Sequence, residues 1–221
     1  MNYTGHVEPG GAAATRELPA ITISKMSVGP MDNNTYLLVC RTTGDATLID
    51  AANDNERILD LLGDGPERPR LRSIVTTHRH GDHWQALPSV AGVTGANLYA
   101  GAADADELPV PTDIALEQGS TIPLGDSELQ ALSLRGHTPG SVALLYRDPT
   151  GSAHLFTGDS LFPGGPGKTG SPEDFSSLMD DLQQRVFDVL PDDTWVYPGH
   201  GDDTTLGAER PQLAEWRKRG W

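Results

Sequence analysis

Cysteine is almost missing from this chain: Cys40 is the single one in 221 residues. No internal disulfide can form, which suits a reducing compartment. No stretch approaches the ~18 consecutive apolar residues of a membrane-crossing helix. The first twenty residues, MNYTGHVEPGGAAATRELPA, hold no apolar core of signal-peptide length. A soluble, cytoplasmic protein is therefore expected. Positive charge is scarce too, with 16 Lys and Arg against 31 Asp and Glu and a net charge of −15. A field of that sign repels phosphate backbones and argues against a nucleic-acid partner. Basic groups stand out only locally, at Lys168 and in the tail EWRKRGW. Aromatic residues are few, at 6%, and histidines number seven.

What the chain has in quantity is Gly (25) and Pro (17), set between short apolar runs. That is the punctuation of a fold with many strands and turns. Residues 1–19 show no periodicity and read as a flexible arm, leaving 20–221 as a single domain. Strands are expected at ITISKMSVG, TYLLVCRT, ATLIDA, RSIVTT and NLYA. Further strands follow at ALEQGSTIPL, ELQALSLRG, SVALLYRD, AHLFTGD and TWVYPGH. Helices are expected over DNERILDLLGDG, with Asp54 as N-cap and Gly63 near its stop, and after Trp84. In SPEDFSSLMDDLQQRVFDVL, Ser171, Pro172 and Asp174 give a capping-box start. Its buried stripe is Phe175, Leu178, Met179, Leu182 and Val186. A last helix is expected from about Ala208 to Arg219. Strands and helices mix in both halves, as in a layered α/β architecture.

The histidines are not spread evenly. SIVTTHRHGDHWQAL carries His78, His80 and His83, with Asp82 beside them, at the end of an apolar run. On a strand, residues i and i+2 face the same way, so His78 and His80 can approach one ion. Gly81 permits a turn that sends Asp82 and His83 towards a second ion. Imidazole and carboxylate suit Zn, and also Fe or Mn. Three further glycine-flanked segments follow apolar runs: RGHTPGS with His137, FTGDSLF with Asp159 and YPGHGDD with His200. Together they read as one site built from loops on a rigid scaffold. His6 and His154 lack this setting; His6 is expected in the disordered arm, and His154 facing outward from a strand.

THRHGDH, GHTPGS, TGDSLF and PGHG, in that order, resemble the metallo-β-lactamase superfamily from about residue 21 onward. The resemblance implies a four-layer αββα sandwich with two divalent metal ions at one edge. It assigns His78, His80 and His137 to the first ion and Asp82, His83 and His200 to the second, with Asp159 bridging. Zn is the expected metal, with Fe or Mn as alternatives. Type II glyoxalases and their short relatives are similar in TGDSLFPGGPGK, where Lys168 would help hold the thiol carrier of the substrate. The chain departs from them at Pro166 and at Gln85-Ala86, where a Gly-Gly pair is usual. After PGHG come Asp202, Asp203 and TTLGAERPQLAEWRKRGW, so no glutathione contacts carry over from a longer helical domain.

The implied function is a metal-dependent hydrolase that cleaves an acyl-thioester by attack of a metal-bridging hydroxide, which Asp82 and Asp159 would orient. The expected partner is that small-molecule substrate, with no nucleic acid and no membrane; a homodimer is left open. Thr138 or Ser141 would tune His137 from outside the site. Loops near 29–35, 161–172 and 201–210 would choose the substrate. Phe162 stands where lactonases of the family carry Tyr, and Asp159 where common lactamases carry Cys. Two alternatives stand beside the hydrolase. One is a persulfide dioxygenase with one iron on His78, His137 and Asp159. The other is a non-catalytic, metal-stabilised binding protein.

Overall fold

The computed structural model describes residues 3–63, 65 and 68–220. Its first half builds a seven-stranded sheet from β1 (Ala14–Glu17), β2 (Ile21–Val28), β3 (Asn33–Cys40), β4 (Asp45–Ile49), β5 (Arg70–Thr76), β6 (Asn97–Gly101) and β7 (Ile114–Leu116), in that order. The second half builds a sheet from β8 (Thr121–Leu124), β9 (Ser127–Ser133), β10 (Val142–Arg147) and β11 (Ala153–Gly158). A small hairpin, β12 (Leu161–Phe162) with β13 (Gly165–Pro166), precedes β14 (Trp195–Pro198) and β15 (Thr204–Thr205), which complete the order β15-β14-β11-β10-β9-β8. The helices are α1 (Asn55–Leu62), α2 (Leu87–Thr94), α3 (Pro172–Leu182), α4 (Leu206–Glu209) and α5 (Leu213–Arg219).

Strand alternation explains the layers. Ile21, Ile23, Tyr36, Leu38, Leu144, Tyr146 and Phe156 fill the space between the sheets. Their neighbours point the other way and meet helices. Leu37, Leu48 and Ile74 pack against Ile58, Leu62, Leu87 and Val90 of α1 and α2. Ala143, Leu145 and Leu155 pack against Phe175, Leu178, Met179 and Leu182 of α3 and Trp216 of α5. This is the αββα sandwich. At ~1.5–3 kcal/mol for each fully buried large apolar side chain, the stripe on α3 outweighs its cap, worth ~1 kcal/mol. Ser171 Oγ does cap α3, accepting from Asp174 N at 3.1 Å.

Several local expectations change. The stretch 1–19 contains β1, paired antiparallel with β2, and Tyr3 donates to Asp203 Oδ2 at 2.6 Å, so it is anchored at both places; Met1 and Asn2 lie outside the described residues. Asp54 makes no side-chain cap for α1; its Oδ2 accepts from Gly29 N instead. Gly63 does end α1, while Asp64 of that expected segment lies outside the described residues. The single strand ALEQGSTIPL divides at Gly119 (φ 86) into β7 and β8, one in each sheet. The long helix after Ser171 loosens into a π-turn over Gln183–Phe187, which still buries Val186. The closing helix breaks into α4, a 3₁₀ turn at Arg210–Gln212 and α5, because Pro211 has no N–H to donate. Among the described residues no helix is long and apolar enough to cross a membrane.

β4 runs parallel to β5 and β11 runs parallel to β14, while β9 lies antiparallel to β10, which is antiparallel to β11. The C-terminal ends of β4, β5, β9, β11 and β14 therefore collect at one edge of the sandwich, where β10 begins. Asp50, His78, His137, Asp159 and His200 all lie just beyond such ends.

Candidate metal centre

All seven residues singled out as ligands meet at that edge. Ring or carboxylate donors of His78, His80 and His137 lie within 4.8 Å of one another, as do those of Asp82, His83 and His200 and those of His78, His83 and Asp159. Asp159 joins the groups: Oδ2 is 3.6 Å from His137 Nε2 and 3.6 Å from His200 Nε2, and Oδ1 is 3.4 Å from His83 Nε2. Asp82 Oδ2 is 3.3 Å from His200 Nε2 and 3.5 Å from His83 Nε2. The short 3₁₀ turn Gly81–His83 reverses the chain between the two groups, as expected of Gly81.

The surroundings fix how the rings present themselves. Thr77 Oγ1 donates to Asp50 Oδ2 at 2.8 Å, so it has only lone pairs left for His78 Nδ1, 3.0 Å away. His78 must donate there, which leaves Nε2 unprotonated. His83 donates Nδ1–H to Asp50 Oδ2 at 2.8 Å. His137 donates to the Lys168 carbonyl at 2.6 Å and His200 to the Met31 carbonyl at 3.0 Å. Four rings thus turn Nε2 inward, the arrangement that outer hydrogen bonds give to metal-binding imidazoles. His80 presents Nδ1 instead, 2.9 Å from His137 Nε2.

The donor set fits divalent cations. His78 Nε2 is buried without a hydrogen-bond partner among the described residues, and buried Asp159 Oδ1 meets only the long 3.4 Å contact with His83 Nε2. Such atoms are costly unless something binds them. Burial, then the neighbouring His83, hold His78 well below the usual imidazole range, so it is neutral. Burial and His137 lower His80. Burial alone would lower His83, but the charges and hydrogen bonds of Asp50 and Asp159 prevail and push it up to about 10. Burial alone would raise Asp159; hydrogen bonding and charge from His83, with His78 and His200, outweigh it and keep the carboxylate ionised.

Three further participants emerge from the fold. Asp50, at the end of β4, orients both Thr77 and His83; its φ of 56 is an unusual backbone state for a non-glycine residue. Asn33 points its amide into the second group, 2.9 Å from Asp82 Oδ2 and 3.3 Å from His200 Nε2. Asp104 is the third. A signal existed for Asp50, the acid closing TLID, but nothing distinguished Asn33 among the turn residues of GPMDNNTY. Thr138 and Ser141 do not bond the His137 ring; Thr138 donates to Asp104, and the two hydroxyls bond each other. His137 is held by the carbonyl of Lys168, whose side chain is exposed. A cleft of about 370 Å³ runs along residues 162–168 to Arg219, and the Phe162 ring lies 6.4 Å from that of His200.

The remaining histidines stay outside the site. His6 is exposed and paired with Asp202 at 2.7 Å. His154 faces inward rather than outward, 1% exposed and 2.9 Å from Tyr197 Oη. Alternation on β11 gives it the same face as Phe156.

The description "Metallo-beta-lactamase superfamily" matches residues 28–200. A hydroxyacylglutathione hydrolase from Fuscovulum blasticum is 35% identical over 171 residues, covering 76% of this chain and 62% of that one, so the chain spans just under two thirds of that relative. Among solved structures, ETHE1 from Myxococcus xanthus is 27% identical with a TM-score of 0.72, covering 87% of this chain and 84% of that one. TTHA1623 in a di-iron-bound form is 31% identical with a TM-score of 0.67, covering 84% and 96%.

Proposed function

The chain belongs to the metallo-beta-lactamase superfamily, and from that premise we propose that it is a binuclear metal-dependent hydrolase acting on an acyl-thioester. The observation that carries the binuclear part is Asp159 between two donor groups, each complete without it. His78, His80 and His137 would hold one ion, and Asp82, His83 and His200 the other, with Zn the expected metal and Fe or Mn the alternatives. Bound there, divalent cations supply acidified water near neutral pH and polarise an acyl oxygen.

The chain's own residues do the rest. Asp82 and Asp159 offset positive charge and offer acceptor oxygens that orient a nucleophilic water. Asn33 holds Asp82 by donating to Oδ2 at 2.9 Å. A thiolate leaving group needs little proton assistance, since a free thiol has a pKa of ~8.5. Lys168, exposed beside the cleft, suits an anionic end of the substrate. The thioester class rests on similarity to the hydroxyacylglutathione hydrolase.

A mononuclear iron dioxygenase using His78, His137 and Asp159 is the second reading, and the likeness to ETHE1 keeps it in view. The second donor group disfavours it, because His83 and His200 have their outer nitrogens engaged and turn Nε2 towards Asp82 and Asp159. The deciding experiment is metal quantification on natively purified protein, followed by a panel of thioesters, lactones and phosphoesters. Two ions per chain with thioester turnover, abolished by His80→Ala, is expected. One Fe per chain with O₂ consumption would replace the hydrolase with the dioxygenase. Both ions bound and no turnover across the panel would leave a metal-stabilised binding protein.

A further inference from the structure

Asp104 lies in the turn after β6, outside every loop that carries a candidate ligand. Its side chain is fully buried. Oδ2 accepts from Arg79 N at 3.1 Å and from Thr138 Oγ1 at 2.5 Å; Oδ1 accepts from Gly140 N at 2.9 Å. Arg79 separates His78 from His80, and Thr138 follows His137. One carboxylate therefore grips the two loops that supply the first donor group. The approach is tight by construction: a Cβ on Gly140 would lie 2.4 Å from Asp104 N, and one on Gly101 would lie 1.9 Å from Gly140 O. Only glycine fits at either place, so the turn bearing Asp104 is pressed directly on the turn that follows His137.

We propose that Asp104 is a positioning residue for the first metal subsite, setting the His78–His80 pair and His137 at the mutual distance one ion requires; this rests on the binuclear reading above. The physical reason is that two of its bonds go to backbone N–H groups. Those bonds hold main chain rather than a rotatable side chain, and a buried, charged acceptor makes them roughly twice as strong as neutral ones. Ser141 completes the clamp. Its Oγ accepts from Thr138 N at 3.1 Å and lies 2.7 Å from Thr138 Oγ1. Because that hydroxyl proton of Thr138 goes to Asp104, Ser141 must be the donor to Thr138 Oγ1. The second subsite is braced separately, by Asp50 on His83 and the Met31 carbonyl on His200. Asp104 should thus act on one ion and not on the other.

The test is Asp104→Asn, which keeps the shape but turns an amide donor towards at least one donor of the loops. Zn²⁺ would be titrated against a competing chelator in the full chain. Co²⁺ spectra and the His137→Ala variant would mark the first subsite and His200→Ala the second. Affinity of the first ion should fall ~10–100-fold, the usual cost of losing an outer partner, with the second within about 3-fold. In the metal-free protein, ring nitrogen resonances of His80 and His137 should shift while that of His200 holds. Thr138→Val, which removes one bond and is gentler on folding, should give the same pattern at smaller size. Equal weakening of both ions, or no change in either variant, would overturn the proposal. If the unaltered protein binds no metal, the binuclear reading falls, and the ring resonances still decide whether Asp104 positions His80 and His137.

Discussion

Gly199 leaves room for Asp159 and nothing more. A Cβ on Gly199 would fall 2.1 Å from Asp159 Oδ1 and 2.8 Å from the His83 ring. The glycine before His200 is therefore required by space, because the bridging carboxylate occupies the volume any side chain would need. Gly199→Ala should displace Asp159 or His83 and cut metal affinity by ~10-fold or more, with native secondary structure retained. Chelator competition and circular dichroism would check it; unchanged affinity would show that the strand end can shift aside.

Metal binding should release protons. With no cation present, His83 titrates at about 10, since Asp50 and Asp159 outweigh the effect of burial. At pH 7 it is therefore protonated in the metal-free protein and must lose that proton to bind an ion. Calorimetry in buffers of different ionisation enthalpy should report about one proton released with the second ion at pH 7. The release should shrink as pH passes through 10. A buffer-independent heat at pH 7 would contradict it.

Lys168→Ala should raise KM for an anionic thioester about 5–10-fold, roughly 1–1.4 kcal/mol, and leave kcat nearly unchanged. The ammonium is exposed, whereas His137 is held by the backbone carbonyl, which the substitution keeps. An equal fall in kcat would mean that the loop, not the charge, was being read.

The N-terminal segment is locked to the loop after His200 by a buried ion pair. Lys25 Nζ donates to Asp203 Oδ1, Gly5 O and Gly201 O, each at 2.7 Å, with both charged side chains wholly buried. Lys25→Met strands the carboxylate and should cost ~3–5 kcal/mol. Adding Asp203→Asn should restore part of the loss. Urea denaturation measures both, and a loss below ~1 kcal/mol, as for exposed pairs, would mean water reaches the pair.

His154 should make the fold acid-sensitive. Burial, then Arg16, lower it from 6.5 to about 4. Between those values the unfolded chain binds more protons than the folded one. Its contribution is thus complete above pH 6.5 and is lost as pH falls towards 4. His154→Phe should flatten the stability profile in that window by about 3 kcal/mol. An unchanged slope would assign the acid sensitivity to other groups.

Much of the site was legible in the chain because its chemistry is local. H-x-H-x-D-H needs only strand alternation and one glycine turn, and each of GHTPGS, TGDSLF and PGHG marks a strand end by itself. The strand expected at TYLLVCRT likewise forms, and its alternation puts Tyr36 and Leu38 between the sheets and Leu37 under the helices. His154, expected to face outward because it lacks a glycine-flanked setting, faces inward, as alternation with Phe156 on β11 requires. The placement of residues 3–17 is less legible, because beside the local pairing of β1 with β2 it depends on Asp203, far along the chain.

Composition and motif spacing by themselves determined the residue types, the strand ends that bear them and the family they resemble. Only the tertiary structure decided which nitrogen each imidazole turns inward, that Asp159 stands between both groups, and that Asp50, Asn33 and Asp104 hold them. The physical reason is range: side-chain direction along a strand follows from neighbours in sequence, whereas a hydrogen bond from His137 to the Lys168 carbonyl, or from Arg79 N to Asp104, exists only once separate strands have packed and excluded water.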